Sequence, residues 1–432
     1  MSNKNFHPQD VIVMGGGPAG ATTATLLAQK GLRVLLLEKD RFPRFHIGES
    51  LMPETYGPFR RLGMLDKLKG TVFPRKHSVQ FISPRGRASA PFYFSETNPH
   101  ESSVTWQVLR SRFDTLMLEN AMEHGVEVRQ EVSVEDVVFE DGRAVGVAAR
   151  THGKKAENLS ARVIVDATGS NALLSKKLKI RRPDPHLKKV SIFAHWEGGL
   201  RDPGIDEGAT LVIETDDAQG WFWYVPLPEN RVSVGIVGPP ETLFAEPGQA
   251  ERTLARAIEL CEPLKRRLAP AQRVSEIYTC SDFSYHSTRV AGAGWVLVGD
   301  AFGFLDPIYS SGVFLALKSG EFAADTIAEA FAKNDFSARQ LSRFGPKLSA
   351  GVEAIRKMVY AFYTKDFRFG NFVRRFPDCR NDLINILTGD VFRDNLSGFF
   401  RSLGKMCPLP KPIPLDGPIP FADSEKEQKP TV

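Results

Sequence analysis

Residues 11–20 read VIVMGGGPAG, and this stretch leaves few folds open. Four apolar residues in a row suit a buried strand. Gly15, Gly17 and Gly20 follow it in GxGxxG spacing. Gly15 permits a tight turn, Gly17 lets backbone approach a pyrophosphate, and Gly20 lets the next helix pack close to the strand. The free N–H groups at the start of that helix would receive the pyrophosphate. The helix continues through ATTATLLAQKG, and RVLLLEK supplies a second strand. Glu38 ends that strand, eighteen residues after Gly20, where a carboxylate binds ribose hydroxyls.

At 432 residues the chain is too long for one ordinary core, so two packed domains with a helical extension are expected. An apolar content of 42% and a charged content of 25% fit a soluble globular protein. The net charge of +5 is spread along the chain without a basic block, which leaves no nucleic-acid signature. Cys261, Cys280, Cys379 and Cys407 lie far apart with no CxxC spacing. They point to neither a zinc site nor a disulfide framework, and the expected location is a reducing cytoplasm. The opening MSNKNFHPQD lacks the apolar core of a signal peptide, and no segment has the ~18 apolar residues that a membrane span needs.

The remaining pattern alternates between strand and helix. SRFDTLMLENAMEHG is an expected helix stopped by Gly125, and EDGR is an expected hairpin turn in the strands after it. ARVIVDATGS returns as a buried strand, and WFWYVPL and RVSVGIV form a hairpin through PEN. GWVLVGDAFGF is another buried strand, followed by a long helix over GVFLALKSGEFAADTIAEAFAKN. The fold class is therefore α/β (α+β), with a Rossmann-like dinucleotide domain over residues 1–184 and 286–335. A mostly antiparallel substrate sheet is inserted over 185–285, with segments near 72–105 joining it. A Phe-rich helical region spans 336–405, and 406–432 is a Pro-rich tail expected to be extended or disordered.

Two further stretches narrow the dinucleotide. Asp300 follows a buried strand and Gly299, where an acid holds the hydroxyls of a ribityl chain, and the helix near Gly312 points its dipole at an anionic ring edge or a small anion. With the N-terminal glycines, VLRSRFD around Arg110, the DATG strand and Gly299–Asp300, the chain resembles the FAD-dependent monooxygenase superfamily of p-hydroxybenzoate hydroxylase fold over roughly 11–334. The resemblance implies FAD as cofactor, held by Gly15, Gly17, Ala19, Gly20, Glu38 and Lys39 on one side. It further implies contacts from Arg44, His46, Ser50 and Arg110, and from Asp300, Pro307, Gly312 and Val313.

A narrower resemblance rests on FPRFHIGESLMP, GWFWYVP and FLDPIYSSGVFLALKSG, which look like the flavin-dependent halogenases acting on phenols and carrier-bound pyrroles. Their WxWxxP pattern is met by Trp221, Trp223 and Pro226. In that family the tryptophans keep the organic substrate from the flavin, so that oxygen chemistry acts on halide. A half-buried strand with aromatics on one core face accounts for the same spacing. The family lysine, in FxxKxGxxF, is matched by Lys76 within FPRKHSVQF, with Ser78 in place of the glycine. The resemblance implies that Lys76 receives hypohalous acid and that N–H groups of Ser311 and Gly312 hold chloride or bromide. The sequence shows no second GxGxxG for NAD, so a separate flavin reductase is the expected partner. Tyr309 stands where tryptophan halogenases carry glutamate, which fits a small activated aromatic substrate, free or on a carrier protein. Two alternatives remain: an FAD-dependent hydroxylase, dehydrogenase or prenyl-chain reductase of the same fold, and a non-catalytic flavoprotein that binds a partner.

Overall fold

The apolar run after the N-terminus forms the strand Gln9–Met14 at the heart of a parallel sheet. Its neighbours are Val34–Glu38 on one side and Glu157–Asp166 on the other, all three in parallel register. Glu127–Gln130 and Trp295–Leu297 extend the sheet outward, again in parallel. The helix Pro18–Gln29 packs against the long helix Ser311–Lys333 and against Arg110–Glu123. Five buried residues in Val34–Glu38 explain the continuous apolar run: this strand has protein on both faces. A computed structural model describes residues 9–216, 219–245, 248–281 and 284–416.

A second sheet is mostly antiparallel. Its order is Gln272–Arg273, Val190–Glu197, Arg231–Gly238, Trp221–Leu227, Thr210–Glu214, Ser78–Ile82 and Phe92–Tyr93. The strands Trp221–Leu227 and Arg231–Gly238 do form the expected hairpin, with Glu229 and Asn230 both left-handed at φ 60° and 54°. All seven residues of Trp221–Leu227 are buried, because the sheet is covered twice. Trp221, Trp223 and Val225 pack toward the C-terminal helices, whereas Phe222 and Tyr224 pack with Leu254 and Leu264 on the opposite face.

Two local expectations change: KHSVQFIS reads as a strand headed by Lys76, and residues 406–432 read as an extended or disordered tail. Lys76 does not head the strand of residues 78–82. It lies in a separate two-residue strand, Arg75–Lys76, paired with Thr105–Trp106, so its backbone belongs to neither large sheet. Ser78 is fully buried, and its hydroxyl meets Asp206 at 3.4 Å. The first part of the Pro-rich tail, residues 406–416, is extended and docked. Ile413 N–H donates to Glu353 at 3.1 Å, and Asp416 N–H donates to the Thr288 carbonyl at 2.7 Å. Arg356 anchors this region by pairing with Asp184 at 3.0 Å and Glu353 at 3.1 Å. The expected disorder over 417–432 lies outside the described residues. Among the described residues no helix is long and apolar enough to cross a membrane.

Candidate active site

A cavity of about 580 Å³ lies between the two sheets, and it begins at the glycine turn. Gly15 has φ +106°, and a Cβ there would sit 2.3 Å from the Ala167 carbonyl oxygen. A Cβ on Gly20 would sit 1.9 Å from the Gly15 oxygen, so the helix touches the turn only because both residues are glycine. Gly17 differs: the nearest atom to its added Cβ is an Arg44 guanidinium nitrogen at 3.6 Å. That space opens into the cavity, beside a cation and at a helix N-terminus, which is the shape and charge a pyrophosphate requires.

Glu38 is tied at both oxygens. It accepts the Gly16 N–H at 2.6 Å and the Asp40 N–H at 2.9 Å, and its carboxylate borders the cavity beside Lys39. Residues 40–50 form a strap along the cavity. The strap is held by Asp114, which is fully buried and accepts from Arg110 at 2.7 and 2.9 Å and from Arg44 at 3.2 Å. Arg110 donates onward to the Ile47 carbonyl at 2.6 Å. Arg110 is therefore no surface helix charge; it is 4% exposed and faces the cavity. The Arg110 guanidinium, helped by burial, pushes the His46 imidazole down to about 4, although the ring is reached from the cavity. His46 is thus neutral near pH 7. Burial raises the Asp300 carboxyl to about 6 while Arg110 opposes the rise.

The far end of the cavity carries the two tryptophans. Trp221 and Trp223 both line it, with ring centroids 6.1 Å apart and planes at 52°. Each indole N–H is satisfied: Trp221 donates to the Tyr363 hydroxyl at 2.9 Å and Trp223 to Ser233 at 3.0 Å. Tyr363 in turn donates to Asp306 at 2.8 Å, which fastens the C-terminal helices to the DPIYSSG loop. Trp223 abuts Gly235, where a Cβ would meet its ring at 2.4 Å. Gly235→Ala is therefore expected to cost about 1–3 kcal/mol through overpacking, read as a lower urea midpoint, with Trp223 fluorescence altered.

Pro307, Gly312 and Val313 line the same end, as does Ser310, which is left-handed at φ 58°. The Ser311 side chain does not; it is 1% exposed and turned into the core, so only its backbone N–H is available at the helix start. The Tyr309 hydroxyl is likewise turned away, donating to the Met358 carbonyl at 3.0 Å.

Lys76 lies behind the cavity wall. The residue is 3% exposed, and its ammonium donates to Ser50 Oγ at 2.9 Å and to the Leu51 carbonyl at 3.0 Å. The Phe94 ring lies 5.6 Å from Nζ. Burial alone lowers this lysine to about 7. It is not the solvated charge that an arbitrary lysine would be.

The sequence did not single out several residues that the fold places here. Glu49 and His195 stand 2.8 Å apart, both buried, and clip the strap to the second sheet. Phe45 stacks on Tyr278 at 4.1 Å and borders the cavity. Thr210 meets Ser50 at the wall, and Gln107 donates to Thr210. No local pattern marks these residues, because each pair is joined across a long stretch of chain.

The cavity and glycine turn fit a flavin dinucleotide, and comparison with known proteins agrees. A family model for tryptophan halogenase matches residues 10–105 and 85–372. The 1H-pyrrole-2-carbonyl-(peptidyl-carrier protein) brominase of Pseudoalteromonas luteoviolacea is 34% identical over 396 residues, 90% of this chain and 93% of that protein. The corresponding chlorinase of Pseudomonas fluorescens is 31% identical, covering 89% of this chain and 90% of that protein. A solved flavin-dependent brominase superposes with a TM-score of 0.82 at 30% identity, over 92% of this chain and 98% of that one. The myxobacterial chondrochloren halogenase superposes with a TM-score of 0.78 at 33% identity, over 92% of this chain and 95% of that one. With a dinucleotide cavity that ends in paired tryptophans and a buried lysine behind its wall, the chain belongs to the flavin-dependent halogenases and is an FAD-dependent halogenating enzyme.

Proposed function

We propose that this enzyme halogenates a pyrrole acyl group held on a carrier protein, with a separate flavin reductase supplying reduced FAD. The observation that carries the chemistry is Lys76: an amine buried beyond the cavity wall, with no carboxylate among the causes that shift it. Reduced FAD and oxygen supply the oxidising power that turns halide into hypohalous acid. Gly15, Gly17, Arg44 and Glu38 would hold the pyrophosphate and ribose, and Arg110 and Asp300 the ribityl end. Trp221 and Trp223 keep an organic substrate away from the flavin, since their indoles are fixed by Tyr363 and Ser233 and close that end of the cavity. Neutral Lys76 then takes up the oxidised halogen as R–NH2 + HOX → R–NHX + H2O, and passes it to the ring carbon as R–NHX + Ar–H → R–NH2 + Ar–X, the ring proton going to the nitrogen. A pyrrole needs no strong enzymic base, which agrees with Tyr309 being engaged elsewhere. The two pyrrole-carrier relatives support this substrate class.

The test is mass spectrometry of carrier-bound pyrrole-2-carboxylate incubated with the enzyme, a flavin reductase, NADH, oxygen and bromide or chloride. Gain of halogen on the carrier-bound acyl group supports the reading; halogenation confined to free phenols overturns it. The halide position has its own expected result. Backbone N–H groups of Ser311 and Gly312 start a 23-residue helix whose dipole favours an anion by about 0.3–1 kcal/mol. A bromide-soaked crystal should show one anomalous peak there, and a peak elsewhere at saturating bromide would remove the assignment.

A further inference from the structure

Lys76 has a problem that its burial creates. To act as a nucleophile it must be a neutral amine, yet its ammonium has no carboxylate to receive the proton. Among the described residues its polar partners are the Ser50 hydroxyl and the Leu51 carbonyl, and a carbonyl oxygen passes no proton onward. The element packed beside it, Thr105–Trp106, brings no charge to it, and the loop brings only Glu49, which makes no hydrogen bond to the amine and whose Oε1 lies 2.8 Å from His195 Nε2. Asp206 is engaged by Ser78 and Tyr93, and burial is the single cause that shifts Lys76. Lys76 does not itself reach the cavity wall, whereas Ser50 does.

Ser50 Oγ lies 2.9 Å from Thr210 Oγ1, and Thr210 also lines the cavity. The Gln107 side-chain nitrogen donates to Thr210 at 2.8 Å, and its orientation is set because the same nitrogen faces the Gly208 carbonyl at 2.8 Å. Ser50 therefore accepts from Lys76 at one end, and Thr210 accepts from Gln107 at the other. The two hydroxyls have two protons and one bond between them, so one O–H is left to donate into the cavity. Their mutual bond can run in either direction.

We propose that Ser50 and Thr210 form a proton relay between Lys76 and water in the flavin cavity. It rests on the reading of Lys76 above. The ammonium N–H bond breaks as Ser50 Oγ takes the proton; Ser50 gives its own proton to Thr210 Oγ1; Thr210 gives its proton to a cavity water. The balance is R–NH3+ + H2O → R–NH2 + H3O+, with both hydroxyls neutral before and after and their hydrogen bond reversed. Ser50 and Thr210 act through Lys76 and are positioning and relay residues.

Thr210→Val is the discriminating variant, because it is isosteric and Thr210 touches Ser50 without touching the amine. Bromination of the carrier-bound pyrrole should fall roughly tenfold to hundredfold in kcat, within the span of proton-transfer catalysis. KM for bromide and the FAD content read by absorbance should stay at wild-type values. The solvent deuterium isotope effect on kcat should rise. Ser50→Ala should show the same loss, with the acid limb of its pH profile moved to lower pH, since a hydrogen bond that favours the ammonium is gone. Ser50→Thr should restore turnover. If Thr210→Val and Ser50→Ala turn over at the wild-type rate with an unchanged isotope effect while Lys76→Ala is inactive, the relay is wrong and the role of Lys76 stands. If Lys76→Ala itself turns over normally, both fall.

Discussion

Lys76→Ala is expected to lose at least ~10²-fold in halogenation while it still binds FAD and still consumes oxygen with reduced flavin. The two halves of the reaction are separated in space: the cavity wall with Ser50 and Thr210 lies between the flavin site and the amine. On the proposed mechanism halide oxidation needs only the cavity, whereas capture of the oxidised halogen needs the amine. The variant should therefore release hypohalous acid or peroxide, detected with a scavenger dye, and leave the carrier-bound pyrrole unmodified. Lys76→Arg should fail as well, since a guanidinium stays protonated and is a poor nucleophile. Wild-type activity should fall as the pH drops through about 7, because protonation removes the amine lone pair. A stability measurement gives an independent check. Between pH 7 and 10.5 the folded lysine binds fewer protons than the unfolded one, so stability rises with pH across that window. Lys76→Met should abolish that lysine's share of the slope in urea titrations at pH 7 and pH 9. An unchanged slope would mean that the lysine is not buried as described.

Gly17→Val should empty the enzyme of flavin and leave the fold standing. Gly17 has ordinary extended backbone, φ −70° and ψ −177°, which valine adopts without strain. The nearest atom to its added Cβ is the Arg44 guanidinium nitrogen at 3.6 Å, so the apoprotein has room for a Cβ there. The valine methyls would occupy the space assigned to the pyrophosphate and cover the N–H groups assigned to it. FAD affinity should fall at least ~10³-fold, about 4 kcal/mol, whereas the poorer helix cap costs only about 1 kcal/mol. Flavin absorbance after gel filtration reads the first quantity and urea denaturation of the apoprotein the second. Full FAD occupancy in the variant would sink the assignment. Gly20→Ala provides the contrast: its Cβ meets the Gly15 oxygen at 1.9 Å, and the fold itself should suffer.

Sequence alone determined those features in which neighbours in the chain are neighbours in space. The glycine turn with its strand and helix, the PEN hairpin, and the helix Ser311–Lys333 are local structures whose spacing and turn residues carry their geometry. Trp221 and Trp223 share a face because strand side chains alternate, and that too is visible in the letters. Whether that face met a cavity was not visible, since the wall opposite is built from residues 44–50 and 298–313. Lys76 shows the limit most plainly. Its motif named the residue, but its lowered pKa comes from burial beneath segments more than twenty residues away, Ser50 and Leu51 among them. Ser311 was named for a backbone N–H whose own side chain proved to face the core, because helix phase is set by packing. The Glu49–His195 clip, the Ser50–Thr210–Gln107 chain and the docked segment 406–416 left no trace in the sequence. A hydrogen bond between residues 160 positions apart has no periodicity to betray it, and only the closing of one sheet against the other brings its two ends together.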